Sequence, residues 1–361
     1  MNKTSAFICL VMCLRTCFVY GEDALVLLAG GETDTVNIAA TEARLNEPFA
    51  AEYDESGVLW IVEMSRGNRL LRINRDGVLE HVAGVKGARE EKGGETFRDG
   101  IALEALFHGP HNLAIRSQTE VWIGDTWNGK VRVWSEMTGS IRSLGSYGVE
   151  QAKGRSQGPY CITFSPDRRT LHIANLQQIL AYDIQSQTIK VVAGNGSKGK
   201  PIDGTLAVNA PLVDPRAVAA DKAGNIYILE RNGNALRVVR PSGIIETVVN
   251  TSGKSGTGLG EGEASKIALN GPKHLCIDSD EGVIIADTEN HLIIKYHPKT
   301  GNVTRLVGNG TKGKGELSSP PKSVMLSRPH GVSVDRNSGN LVITDSYNDR
   351  ILMLKRAALT P

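Results

Sequence analysis

Six prolines, Pro48, Pro110, Pro159, Pro215, Pro272 and Pro329, follow one another at separations of 62, 49, 56, 57 and 57 residues. Each opens the same phrase: a short apolar run, a turn, a second apolar run, then an acid or Asn and a turn ending in Asn or Gly. Pro110-His111-Asn112-Leu113 leads in this way to Val121-Trp122-Ile123-Gly124-Asp125-Thr126-Trp127-Asn128. Pro329-His330-Gly331-Val332 leads likewise to Leu341-Val342-Ile343-Thr344-Asp345-Ser346-Tyr347-Asn348. Self-similarity at such a period marks a repeat architecture.

Within a repeat the runs are short and rich in β-branched residues. After Pro215, Arg216 to Ala220 makes one run, Ile226 to Leu229 a second, Ala235 to Val239 a third and Ile244 to Val249 a fourth. Gly, Asn, Asp and Pro separate them, the grammar of an antiparallel meander. The 40 glycines suit a chain with this many tight turns. Four-stranded units repeated radially are propeller blades, so the pattern predicts an all-β, six-bladed β-propeller. The last repeat ends after Arg350 to Leu354, a third strand. A fourth is expected from the other end, where Ala24 to Gly31 resembles the fourth strands at His81–Gly84, Val191–Gly194 and Leu306–Gly308. Small residues after Asp99-Gly100 and Asp203-Gly204, echoed at Gly262 to Leu269, predict short helical turns at the blade rims.

Residues 1–21 read as a secretory leader, with Lys3 before an apolar core from Ala6 to Leu14 and Gly21 at the cleavage point. The expected organisation is a leader at 1–21 and one propeller domain at 22–361, secreted or periplasmic. The apolar run is too short to hold the mature chain stably in a membrane. Without Lys3 and Arg15, 39 of the 41 basic residues remain against 39 acids. A neutral chain has no overall field to gather nucleic acid, which is not an expected partner. Cys161 and Cys276 fall in non-adjacent repeats, too far apart for a disulfide, and read as small buried apolar residues.

The segments DTWNGKVRVW (125–134), DTENHLIIKY (287–296) and DSYNDRILML (345–354) resemble NHL repeats, and VVAGNGSKG (191–199) is similar to NHL fourth strands of secreted bacterial proteins. The resemblance covers nearly all of residues 24–356 and implies the six-bladed propeller. It reaches distantly to the peptidyl-hydroxyglycine amidating lyases, whose zinc is held by histidines directly after the blade-opening Pro in alternate blades. The matching positions here are His111 and His330, while Arg216 stands at the third. His274 is displaced by one residue and lies in a non-alternate blade. The gluconolactonase-like propellers use carboxylate and Asn ligands, and no repeat carries their acidic motif. A divalent metal, zinc or calcium, held by His111, His330 and His274, is the cofactor these resemblances admit.

The residues after the six prolines are Phe49, His111, Tyr160, Arg216, Lys273 and His330. If they face the channel mouth, as the resemblance implies, they suit an anionic or aromatic ligand: Arg as a carboxylate clamp, Phe and Tyr as flat walls. The acids after the second strands, Glu63, Asp125, Glu230, Asp287 and Asp345, with Asn175 in the third repeat, are expected to bond the backbone of their own turns. No Gly-x-Ser-x-Gly elbow or nucleotide loop is present. The expected function is a binding scaffold for a protein, peptide or small anionic ligand, with a metal-dependent lyase or hydrolase in the channel as the alternative.

Overall fold

Pro48–Tyr53, Leu59–Glu63, Arg69–Ile73 and Val78–Ala83 run antiparallel, each paired with the next, and form the first blade. The second strand, Leu59–Glu63, is buried along its whole length because neighbouring blades cover both its faces. That is why it reads as a continuous apolar run rather than an alternating one. A computed structural model describes residues 23–88, 97–145, 147 and 158–356, and six sheets of this kind make a six-bladed β-propeller. The expected leader lies outside the described residues. No helix among them is long and apolar enough to cross a membrane.

The innermost strands of blades two to six are Asn112–Ser117, Cys161–Phe164, Pro215–Ala220, His274–Ile277 and Gly331–Val334. Ala24–Ala29 is the outer strand of blade six. It pairs antiparallel with Arg350–Lys355, Ala24 opposite Lys355 and Leu25 opposite Leu354, and buries Leu25 and Ala29. The ring is therefore closed by the N-terminal strand. Blades one, two and five differ from the four-stranded expectation. Each gains a two-residue edge strand, at Ile38–Ala39, Gly100–Ile101 and Gly262–Glu263.

The expected rim turns are single 3-10 turns at Ala102–Glu104, Ala207–Asn209 and Ala264–Lys266. The first alanine of each is buried, and its carbonyl accepts the backbone N–H of Gly84, Gly194 or Asn250 at 2.9 Å. A larger side chain there would lift the turn off the preceding blade.

The turn acids act over a longer range than expected. Asp125 Oδ1 accepts the N–H of His108, 17 residues upstream, at 2.8 Å, and its Oδ2 accepts from Arg132 at 2.8 Å. Glu63 accepts from Asn46 and Arg69, Glu230 from Val213 and Arg237, and Asp345 from Ser327 and Arg350. Each carboxylate thus pins the connection entering its own blade, and a buried arginine of the third strand supplies its counter-charge. Asp287 accepts from Asn270 but has no arginine partner among the described residues, and its carboxyl is raised to about 7 by burial. Within their own turns Asp125, Asp287 and Asp345 accept from the side chains of Asn128, Asn290 and Asn348. Among the described residues, Asn175 alone of the set bonds the backbone of its own turn, accepting from the N–H groups of Gln177 and Gln178.

Candidate functional site

Each blade enters the channel through the same irregularity. His111 N–H donates to the carbonyl of Gly124, the residue that Asn112 also faces in the ladder. Tyr160 and Cys161 share Ala174, Lys273 and His274 share Ala286, and His330 and Gly331 share Thr344. In blades one and four the ladder skips from Pro48 to Ala50 and from Pro215 to Ala217. Two residues against one is a β-bulge, which re-aims a side chain. The residues one, two and four places after each proline consequently contribute to three tiers along the axis.

The upper tier is the set expected from the sequence. Phe49, His111, Tyr160, Arg216, Lys273 and His330 are all buried. Phe49 stacks on His330 at 4.2 Å and meets His111 edge-on at 5.1 Å. His111 meets Tyr160 at 4.9 Å, and the Arg216 guanidinium lies 4.5 Å over the Tyr160 ring. Lys273 Nζ reaches Glu289 at 2.6 Å. The tier packs tightly rather than forming an open rim. A collar missed by the sequence reading surrounds it: Trp127 against His111, Tyr347 stacked on His330, and Glu289 between Lys273 and Arg328. All three collar residues stand two places after a turn acid, a spacing that could have revealed them.

The electrostatics of this tier are lopsided. Arg216 Nη1 donates to the Tyr160 carbonyl at 3.0 Å, its Nε has no partner, and no carboxylate lies within ion-pair distance among the described residues. Burial, helped by the Arg231 charge, lowers its pKa to about 10. Burial also lowers Lys273 to about 8, against the pull of Glu289. Both His111 and His330 are held well below the usual imidazole range, chiefly by burial and then by the nearby cations. They are neutral at pH 7, and each points Nδ1 at a carbonyl, that of Gly109 or Arg328, at 2.7 Å.

Those carbonyl bonds leave two Nε2 lone pairs, the arrangement of a metal-ligating histidine. The rest of a zinc centre is missing. Arg216 occupies the third blade position, and Phe49 packs against both imidazoles. His274 uses its ring nitrogens elsewhere, on Asn112 and on the Val332 N–H. Among the described residues no three His, Cys, Asp or Glu side chains converge on one point. The expected trio His111, His330 and His274 therefore does not fit a catalytic zinc, which needs three protein ligands.

The middle tier closes the channel. Asn112 Nδ2 of blade two and His274 Nε2 of blade five lie 3.0 Å apart, while Asn112 Oδ1 accepts the Ile162 N–H at 2.8 Å. Below it a cavity of about 380 Å³ opens toward the face where the inner strands end. Its lower tier, Glu52, Ala114, Thr163, Ala219, Cys276 and Ser333, consists of the residues four places after the six prolines. Cys161 is buried as expected, but Cys276 borders this cavity, and both thiols are free.

Comparison with known proteins agrees with the geometry. The family model described as the teneurin NHL domain matches residues 156–259, and that of the NHL repeat matches 269–296 and 326–352. An Arabidopsis thaliana relative, Protein SUPPRESSOR OF QUENCHING 1, chloroplastic, is 23% identical over 72% of this chain and 26% of its own length. NHL repeat-containing protein 2 of Bos taurus is 23% identical over 71% of this chain and 40% of its own. The chain thus spans well under half of either relative. Among solved structures, an auxiliary nutrient binding protein from Bacteroides thetaiotaomicron superposes with a TM-score of 0.64 at 15% identity, over 92% of this chain and 76% of that one. Virginiamycin B lyase from Staphylococcus aureus superposes at 0.54 and 15% identity, over 93% and 100%. Six blades of NHL grammar, closed by the N-terminal strand, place this chain in the NHL-repeat β-propeller family.

Proposed function

We propose that this propeller is an exported binding scaffold whose upper tier takes an anionic group, either a small carboxylate or phosphate or the terminal carboxylate of a peptide. The observation that carries the reading is Arg216, a buried guanidinium with one backbone hydrogen bond and no described carboxylate partner. A buried charge is costly unless paired, and a planar fork of N–H donors is the side chain suited to a carboxylate or phosphate. Tyr160, below the guanidinium, and Phe49 supply flat walls, and two neutral imidazoles add polar contacts without adding charge.

Calorimetric titration of the full chain with benzoate, inorganic phosphate and a dipeptide with a free or amidated C-terminus tests this. Binding of at least one anion is expected, with a loss of at least tenfold in Arg216→Met. No binding by any of them, or affinity unchanged in that variant, would overturn the reading. The rival, a metal-assisted lyase or hydrolase, lacks a third ligand among the described residues and is not favoured.

A further inference from the structure

The cavity below the Asn112–His274 contact belongs to no part of that reading. Its volume of about 380 Å³ is in the range of small-molecule sites. Alanines at 50, 51, 114, 219 and 220 create the space, and Ile115, Phe164, Ile277 and Val334 give it apolar walls.

Five carboxylates border the cavity against two basic side chains, Lys222 and Arg336. Four of those acids already have partners. Asp278 holds Lys295 and Arg356, and Glu281 holds Lys222. Asp221 and Asp335 accept bonds within their own loops, from Asn225 and Asn337. Glu52 differs in having no side-chain partner among the described residues: its carboxylate meets the backbone N–H of Ile115, and no basic side chain among them stands within ion-pair distance. It retains some exposure because it faces the cavity itself. Arg336 and Arg168 influence it from farther off.

We propose that this lower chamber is a second binding site, for a small organic cation with an apolar body, whose ammonium group pairs with Glu52. The apolar walls take the body. An ammonium would supply the counter-charge that no basic side chain among the described residues gives Glu52 at ion-pair distance.

The probes are phenethylamine, neutral 2-phenylethanol and anionic phenylacetate, each titrated calorimetrically into the full chain at pH 8. Phenethylamine is expected to bind once per chain, and the alcohol and the acid at least tenfold more weakly. Glu52→Gln, nearly the same shape, should reduce amine affinity at least tenfold and leave the alcohol unchanged. Ala114→Met, which fills the chamber, should weaken amine and alcohol alike. Lowering the pH from 8 to 6 should weaken the amine, since the carboxyl, raised to about 7 by burial, must be ionised. The other groups that interact electrostatically with it are Arg336, Arg168, Cys161 and Cys276. Equal binding of amine and alcohol, full amine affinity in Glu52→Gln, or no amine binding by the native chain would overturn the proposal. Anion titrations read Arg216 and amine titrations read Glu52, so either reading can fail without the other.

Discussion

Asn112 of the second blade and His274 of the fifth meet across the propeller axis, amide Nδ2 to imidazole Nε2, at 3.0 Å. The two blades are opposite in the ring, so one contact separates two ends of the channel with different chemistry. Above it lie the aromatic rings and Arg216; below it lie small side chains and Glu52.

Asn112→Ala removes the bridge and also strands the Ile162 N–H that Asn112 Oδ1 accepts. Unmet buried groups of this kind cost about 1–3 kcal/mol each, readable in urea denaturation. Burial now holds the His274 imidazole down at about 4. Water entering the gap should move that titration upward toward 6.5, followed by NMR of the ring protons. An unmoved titration would mean that the walls, not the bridge, keep the middle tier dry.

Asp345 is the carboxylate counterpart of Arg350, whose other hydrogen bonds go to the carbonyls of Gly315 and Met325. Asp345→Ala leaves a buried cation uncompensated and should cost about 3–5 kcal/mol. Adding Arg350→Met should recover much of that loss. In blade five no arginine among the described residues faces the equivalent acid, so Asp287→Asn should be far milder. Denaturation midpoints of the three variants check the ranking.

Deleting residues 23–30 removes the outer strand of blade six and exposes the edge of Arg350–Lys355. The buried Leu25 and a full ladder of backbone bonds go with it, so several kcal/mol of stability should be lost. A thermal midpoint equal to that of the full chain would show that blade six stands without its clasp.

Glu52 carries a pH signature. Its carboxyl is raised from 4.5 to about 7 by burial, partly offset by Arg336 and Arg168. The folded chain therefore binds a proton over that interval that the unfolded chain has released. Stability contributed by the neutral form is present below pH 4.5 and lost as pH rises toward 7. Glu52→Gln should remove this slope, so that the variant matches wild type below pH 4.5 and becomes the more stable of the two by up to about 3 kcal/mol near neutrality. Chemical denaturation of both proteins from pH 4 to 8 checks it.

The six-bladed ring was legible because its signals are local: a proline, a glycine turn and β-rich runs at a steady period. Ala24–Ala29 could be placed by its likeness to Val191–Gly194, since one structural slot selects one kind of sequence. The upper tier was legible for the same reason, each member following a proline. The partner of Asp125 was not, because it lies 17 residues upstream and is set by how a connection folds back over its blade. Glu52 was hidden differently. Its fellows at the same offset are Ala114, Thr163, Ala219, Cys276 and Ser333, all small or uncharged, so the column looks like ordinary core. The bulge after each proline adds to this: counting by twos from the first channel residue leads out of register, and the lower tier emerges only when the extra residue is allowed for.

The strand pair that closes the ring also bears on where the chain must be cut. Ala24 faces Lys355 across one antiparallel ladder, about 5 Å away, so a hairpin loop of a few residues could join them. New termini could then be opened in any connection between blades, and the circularly permuted chain would meet the same neighbours in the same order. Topologically, the ring has no privileged seam: blade six is distinguished by the order of synthesis, not by the forces that hold it.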